Sequence, residues 1–110
     1  MESAFYGYYH VLTDSISNTW HTKEIESYLL NRKCFENKNS GLFTHNSVFL
    51  TIQLMLVKDY NSWSSNDYGS NETNYISIVT SKKPNSIVTN FFRDFEIFLG
   101  WHIVEETDNG

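Results

Sequence analysis

Histidines are the residues of this sequence best suited to proton transfer, and there are four of them: His10, His21, His45 and His102. General acid–base catalysis of the ribonuclease kind needs two imidazoles near one bond, with a Lys or Arg that holds the phosphate. His10 and His102 fall in the first and last predicted strands, which adjoin in the expected fold, so they are candidates for such a pair. The negative net charge opposes a polyanionic substrate. A small His-dependent hydrolase is therefore an alternative, and the protein is not expected to be an enzyme.

Other catalytic and metal-binding motifs are missing from the sequence. Cys34 is the single cysteine, and no His-x-x-x-His pair offers the spacing of metal ligands. No glycine-rich phosphate loop, Gly-x-Ser-x-Gly elbow or Cys–His motif occurs. A lone cysteine builds no internal disulfide, so Cys34 is expected as a small core residue on a helix. The sequence therefore predicts no metal site and no cofactor.

The most informative stretch is the acidic aromatic segment, residues 59–74, which has the sequence DYNSWSSNDYGSNETN between two apolar stretches. Aromatic side chains with few rotatable bonds, set among small polar residues, are typical of surfaces that bind other proteins. Loops of this length without secondary structure are uncommon and usually functional or disordered, so a disordered hairpin tip is the alternative. The predicted partner-binding residues are Asp59, Tyr60, Trp63, Asp67, Tyr68 and Glu72.

The net charge of −5 is concentrated in the second half of the chain. Residues 1–58 hold five acids and five bases, whereas residues 59–110 hold eight acids and three bases, a balance of −5. An acidic field repels nucleic acid and anionic membrane and attracts basic partners. Nucleic-acid binding is therefore not expected, because phosphate neutralisation needs clustered Lys and Arg. Charge of this size also serves solubility.

The chain has 110 residues, with 40% hydrophobic and 16% aromatic content, which predicts one domain over residues 1–110 with a real core. Its longest apolar run, residues 48–57, is interrupted by Thr51 and Gln53 and is too short to span a membrane. No basic N-terminal region followed by an apolar core marks a secretory signal. A cytoplasmic location without a membrane partner is expected.

Apolar and β-branched residues at period two predict four strands. The clearest is residues 47–58, for which a buried helix is the alternative. The next strand follows without an intervening helix, so the two are expected to form an antiparallel hairpin. The first strand contains Gly7 and mixed patterning, and an irregular or helical conformation is its alternative. The predicted strands cover residues 4–13, 47–58, 75–80 and 101–105.

Two amphipathic helices are predicted between these strands. Thr22 is the predicted N-cap of the first, which extends to Phe35, and residues 36–46 are predicted as a loop. The second follows Asn85, carries a phenylalanine-rich stripe and ends before a left-handed cap at Gly100. The order strand, helix, strand, strand, helix, strand is the βαββαβ pattern of ferredoxin-like domains. The expected fold is α+β, a four-stranded, mainly antiparallel sheet with two helices on one face.

As a whole, the chain resembles the small immunity proteins of contact-dependent and polymorphic bacterial toxin systems. The resemblance is carried by the chain length, the helix-to-strand ending FFRDFEIFLGWHIVEE and the acidic aromatic segment. It implies a tight, stoichiometric complex in the cytoplasm with a basic nuclease toxin, whose active site is plugged or masked. The resemblance is one of class, and no residue role carries over from it.

The expected function is inhibition of a cationic protein, most simply a nuclease toxin, by the acidic aromatic segment. Its carboxylates would occupy the phosphate-binding groups of the partner and speed encounter, while Trp63 and Tyr68 would supply desolvated anchors. Two further alternatives are a phage-type inhibitor that imitates nucleic acid to block a defence complex, and a dimeric ligand-binding regulatory domain. The free chain is expected to be a monomer or a weak homodimer.

Overall fold

Strands that alternate apolar and polar residues form an antiparallel sheet in the computed structural model of the protein, which describes residues 6–13, 18–57, 67–68 and 71–106. Two helices pack on one face of this sheet. The strands are β1 (Tyr6–Leu12), β2 (Trp20–His21), β3 (Phe35–Asn39), β4 (Leu42–His45), β5 (Leu50–Leu56), β6 (Asp67–Tyr68), β7 (Glu72–Thr73), β8 (Tyr75–Ser81) and β9 (His102–Glu105), and the helices are α1 (Thr22–Asn31) and α2 (Ser86–Leu99).

The main sheet has the strand order β3-β4-β5-β8-β1-β9, and every neighbouring pair is antiparallel. The short β6 pairs with the end of β5, and β2 pairs with β7 in a separate two-stranded sheet. The upper end of the sheet is defined as the end where β5 finishes at Leu56 and β8 starts at Tyr75. The lower end is the opposite one, where β1 starts at Tyr6 and β5 starts at Leu50.

Alternate residues of the central strands point into a core beneath the two helices. Ile52 of β5 pairs with Ile78 of β8, and both are fully buried. Phe91 and Phe95 of α2 stack on each other with ring centroids 5.0 Å apart. Each fully buried side chain of this size contributes about 1.5–3 kcal/mol. The main core cluster contains Val11, Ile25, Leu29, Phe35, Phe43, Leu50, Ile52, Leu54, Ile76, Ile78, Val88, Phe91, Phe95 and Leu99.

The remaining residues of the central strands point away from the helices and form what we call the open face. Val11 of β1 is fully buried against the helices, so Tyr8 and His10 point to the other side of the sheet. His10 lies opposite Ser77 of β8, which shares this face. In the part of the chain that the structure describes, both helices lie on the opposite face.

The predicted four-stranded, ferredoxin-like sheet in βαββαβ order is wrong. The structure is α+β with two helices, but residues 36–46, predicted as a loop, form most of the β3–β4 hairpin and extend the sheet to six strands. These strands are not recognisable from their polar composition. Phe35 and Phe43 supply the buried positions, and their neighbours are exposed or half-buried. Gly41 makes the turn, since its φ of 71° is left-handed and a Cβ there would lie 3.0 Å from the Leu54 carbonyl oxygen.

The first helix is shorter than predicted at its C-terminal end. It finishes at Asn31 rather than at Phe35, because Lys33 adopts a left-handed φ of 63° and turns the chain into β3. Cys34, predicted as a helical core residue, follows the helix and is a half-buried free thiol packed against the core.

The first helix also begins differently from its prediction. Its N-cap is His21, which makes no side-chain capping bond, and not Thr22. Thr22 lies inside the helix, where its buried hydroxyl is hydrogen-bonded to the Thr73 hydroxyl at 2.7 Å. A tertiary contact to β7 has therefore replaced the local capping bond that the residue type suggested.

The second helix confirms its prediction at both ends. The Asn85 side chain accepts a hydrogen bond from the Val88 N–H at 3.2 Å, as an N-cap does. Gly100 is left-handed with φ 73°, and its N–H donates to the Glu96 carbonyl at 2.8 Å. The predicted antiparallel hairpin of β5 and β8 is also confirmed. Neither helix of the described chain has the length and apolar character that crossing a membrane requires.

His45 ends the β3–β4 hairpin as an acceptor of two backbone hydrogen bonds. Its Nδ1 accepts from the N–H of Ser47 at 3.0 Å and from the N–H of Val48 at 3.3 Å. Burial lowers the pKa of His45 below its ordinary value, and the charge of Arg32 lowers it further. Both causes favour the neutral ring, which is also the form that can accept at Nδ1.

We expect the folded state to lose stability as pH falls through the ordinary histidine value of 6.5, because the unfolded chain then binds a proton at His45 before the folded chain does. The loss levels off below the lowered pKa of the folded state. His45→Asn supplies Oδ1 as the acceptor without titrating, so it should flatten this part of the profile and keep the neutral-pH stability. His45→Ala should lose about 1–2 kcal/mol at neutral pH.

Urea unfolding of the three proteins between about pH 8 and about pH 5 measures these differences. The difference in pH dependence of the unfolding free energy between the natural chain and His45→Asn gives the contribution of His45 alone, because the other histidines are the same in both proteins. An unchanged pH slope in His45→Asn contradicts the assignment.

Candidate functional site

The acidic aromatic segment belongs to the connection between β5 and β8, whose end and start meet at the upper end of the sheet. The backbones of Asp67 and Tyr68 form β6 and pair with Leu56 and Met55 of β5. Glu72 is exposed in β7. The structure therefore brings these three predicted partner-binding positions to one end of the molecule. The other three lie outside the described residues: Asp59, Tyr60 and Trp63.

A buried asparagine, Asn74, holds the chain that leaves β5 beside the chain that enters β8. Asn74 is 2% exposed. Its Oδ1 accepts from the Val57 N–H at 2.8 Å, and its Nδ2 donates to the Val57 carbonyl at 2.9 Å. The Asn74 N–H donates to the Met55 carbonyl at 3.1 Å. Because buried amides are costly unless they are bonded, this paired arrangement strongly favours a single geometry for the entry and exit of the segment.

Glu72 is held against the beginning of α1. Its strand β7 pairs with β2, and the Thr19 hydroxyl donates to Glu72 Oε1 at 2.5 Å. One residue earlier, the Asn71 carbonyl accepts from the Thr22 N–H at 2.8 Å. These bonds place the Glu72 carboxylate at the same end of the molecule as Glu24, which lies in the first turn of α1.

The connections at the two ends of the sheet carry opposite charge. At the lower end, residues 32–34, 46–49 and 82–85 join successive elements and contain no acid. At the upper end, residues 57–74 contain three acids and one base. These connections are therefore polarised along the strand direction, while Glu105 and Glu106 add carboxylates where β9 finishes, towards the lower end. The bases of the lower connections are Arg32, Lys33, Lys82 and Lys83, and the charged residues of the upper one are Lys58, Asp59, Asp67 and Glu72.

A chain of polar contacts crosses the open face from the root of the segment to the end of β9. His10 Nε2 lies 2.5 Å from Glu106 Oε1, and the Tyr75 hydroxyl contacts His10 Nδ1. Tyr75 is 4% exposed and clusters with Met55 and Val57. These contacts tie β8, β1 and the residue after β9 together on the side of the sheet that the helices leave uncovered.

The two histidines of the predicted catalytic pair lie on adjacent strands and on the same face. The antiparallel register of β1 and β9 places His10 and His102 one diagonal step apart. Both ring nitrogens of His10 are already engaged, by Glu106 and by Tyr75. A general base needs a nitrogen within reach of the proton that it removes, so these contacts do not favour the hydrolase alternative.

The described residues also bring together no set of metal ligands. No group of three or more His, Cys, Asp or Glu side chains among them is placed to hold a metal ion. His21 is exposed in β2, and His45 serves the β3–β4 hairpin through its Nδ1.

The sequence analysis missed the two features that position the site, namely Asn74 and the contact of Tyr75 with His10. Asn74 ends the acidic aromatic segment, which the sequence predicts as a loop, and asparagine is common in loops. Its bonds reach Val57, which lies seventeen residues away in the chain, so nothing local marked the pairing. An asparagine directly before a strongly apolar strand is the available signal.

Comparisons with known proteins found no significant match to the chain. No family model matches it, and neither a curated protein nor a solved structure is significantly similar. Its function therefore has to be inferred from its own residues.

We expect Asn74→Ala to lower the free energy of unfolding by about 2–4 kcal/mol, because it leaves the buried N–H and carbonyl of Val57 without partners. The matched control is Asn71→Ala, since the Asn71 side chain is exposed and its change should stay within about 0.5 kcal/mol. Urea unfolding measures both variants. Equal stabilities of the two variants contradict the role given to Asn74.

Proposed function

We propose that the protein is an immunity-type inhibitor that binds and neutralises a cationic protein partner, a nuclease toxin, in the bacterial cytoplasm. The observation that carries this proposal is the charge polarity of the connections, acidic beside the aromatic residues of the upper end and basic at the lower end. Such a field attracts a basic protein to the upper end and orients it during approach. The same field repels nucleic acid from that end.

The binding surface is the acidic aromatic segment, which includes Glu72 on β7. Its carboxylates occupy the partner's phosphate-binding groups, and its aromatic rings are the anchors that lose water on binding. Two features support this arrangement. Asp67 and Tyr68 belong to a backbone-paired strand, and Asn74 fixes the chain beyond them. Positions that are ordered before binding lose less conformational entropy in the complex.

The partner is found by co-purification of the tagged chain from its native host, with identification of the protein that binds one-to-one. We expect a basic protein with nuclease activity that the chain suppresses. Recovery of an acidic or neutral partner contradicts the proposal, and so does a complex that leaves the nuclease fully active.

We expect Trp63→Ala to weaken binding of that partner by about 2 kcal/mol or more, as truncation of an interface anchor does. Asp67→Ala should weaken binding mainly by slowing association, and the difference should shrink at high salt. Stopped-flow and calorimetric titrations measure both variants.

The matched controls remove similar groups away from the upper end. Ile97→Ala truncates an apolar side chain of α2 that is 76% exposed, and Glu105→Ala removes an exposed carboxylate at the end of β9. Both controls should bind as the natural chain does. Unchanged affinity in Trp63→Ala and Asp67→Ala, with folding intact, means that the segment is not the interface.

A further inference from the structure

We propose that two copies of the protein associate face to face through an aromatic patch at the lower end of the open face. The aromatic patch consists of Tyr6, Tyr8, Phe49 and Val104, which are 43%, 40%, 47% and 48% exposed. It is separate from the surface assigned to the cationic partner, which lies at the upper end. The inference therefore stands whether or not that function is correct.

Tyr6, Tyr8 and Phe49 lie together on the open face, and Val104 lies on the far side of the His10–Glu106 contact. Tyr6 and Tyr8 are successive residues of β1 on the open face. The ring of Phe49, which directly precedes β5, lies 5.2 Å from the ring of Tyr6 with the planes tilted by 59°. Val104 of β9 lies opposite His10, the next residue of β1 on this face. The aromatic patch thus reaches from the start of β5 to β1 at the lower end, and Val104 adds an exposed apolar side chain on β9 nearer the middle of the sheet.

The size of the aromatic patch suits a weak dimer. Side chains of this kind, nearly half exposed, present on the order of 300 Å² of apolar surface in total. Patches of that size on single chains are often functional. Stable dimers bury about 800 Å² on each partner, so the polar rim must contribute and the association should depend on concentration.

The charges around the aromatic patch point to a second copy as its occupant. Lys82 and Lys83 follow β8 on one side of β1, and Glu106 follows β9 on the other side. Rotation of one copy by half a turn about an axis along β1 lays the β8 side of each copy over the β9 side of its partner. The bases of one copy then face Glu106 of the other, whose Oε1 also contacts His10 in its own chain, and Tyr6 and Tyr8 pack on their own counterparts. This contact is isologous and closes at two copies.

The distances along the strands allow this pairing of charges. Ser81 lies opposite Tyr6, and the Glu106 N–H donates to the Tyr8 carbonyl. Lys82 and Glu106 are therefore offset by about three residues, or ~10 Å, along β1. Because sheets packed face to face lie ~10 Å apart, the two backbones are ~14 Å apart, and the pairing requires both the Lys and the Glu side chains to be fully extended.

The edges of the sheet are poor alternatives for self-association. At the β9 edge, the outward Ile103 N–H already donates to Glu96 Oε2 at 2.7 Å. A strand added at this edge would therefore meet the Glu96 carboxylate and could not accept from the Ile103 N–H. At the other edge, β3 carries exposed Glu36 and Lys38 and a register shift between Asn37 and Asn39. Charges and irregular register are the devices by which sheets avoid pairing through their edges.

Sedimentation equilibrium of the full chain over a wide concentration range tests the proposal. We expect the mean mass to rise from the chain mass of 12.9 kDa towards twice that value. The double variant Tyr8→Thr, Phe49→Thr keeps residues suited to strands and should raise the dissociation constant about tenfold or more. Ile97→Ala, an equally apolar exposed truncation on α2, should leave the constant unchanged.

A charge reversal tests the arrangement without touching the aromatic residues. The Lys82→Glu, Lys83→Glu chain should dimerise more weakly than the natural chain, and mixing it with a Glu106→Lys chain should restore association. A natural chain that stays monomeric at every concentration overturns the proposal, as does a dimer that neither set of variants weakens. If the Tyr8→Thr, Phe49→Thr variant does not fold, the association of the charge variants alone tests the dimer proposal. None of these outcomes bears on the cationic partner.

Discussion

Two helices cover only one face of a six-stranded sheet, and this one-sided burial governs the rest of the molecule. On the covered face, alternate residues of β5 and β8 such as Ile52 and Ile78 are fully buried. On the open face, the same strands present polar or half-buried residues, except at the upper end, where Met55 and Tyr75 are buried with Val57. The polar contacts of His10 and the aromatic patch both lie there. The helix-covered face therefore holds the main core, and the open face carries the contacts on which the proposed self-association is based.

The two ends of the sheet divide these contacts further. At the upper end, Asn74 joins the roots of the acidic aromatic segment, and β6 and β7 hold parts of that segment by backbone pairing. At the lower end, the connections are basic and the exposed rings of Tyr6 and Phe49 lie side by side. Under the two proposals, the acidic connection at the upper end attracts a basic partner, and the lower end associates with a second copy of the chain.

Much of the fold could be predicted from the sequence, because the signals were local. The ends of α2 followed from Asn85 and Gly100, and the hairpin of β5 and β8 followed from period-two alternation. The β3–β4 hairpin could not be recognised, since its exposed Asn and Lys residues resemble a loop and its burial depends on contacts with distant strands. The hydrogen bonds between the Asn74 side chain and the Val57 backbone could not be predicted either, because they join residues that are distant in the sequence. The acidic aromatic segment was recognisable from composition, but composition does not show which of its residues are held in strands.

Hydrogen–deuterium exchange of the full chain, alone and with the co-purified partner, tests the central claim most directly. The claim is that the upper end is the surface that binds a cationic protein. We expect amides of residues 59–74 to become protected in the complex, while exchange in β9 and at residues 46–49 stays as in the free chain. Protection confined to the aromatic patch or to the edge of β9, with residues 59–74 exchanging as before, would contradict it.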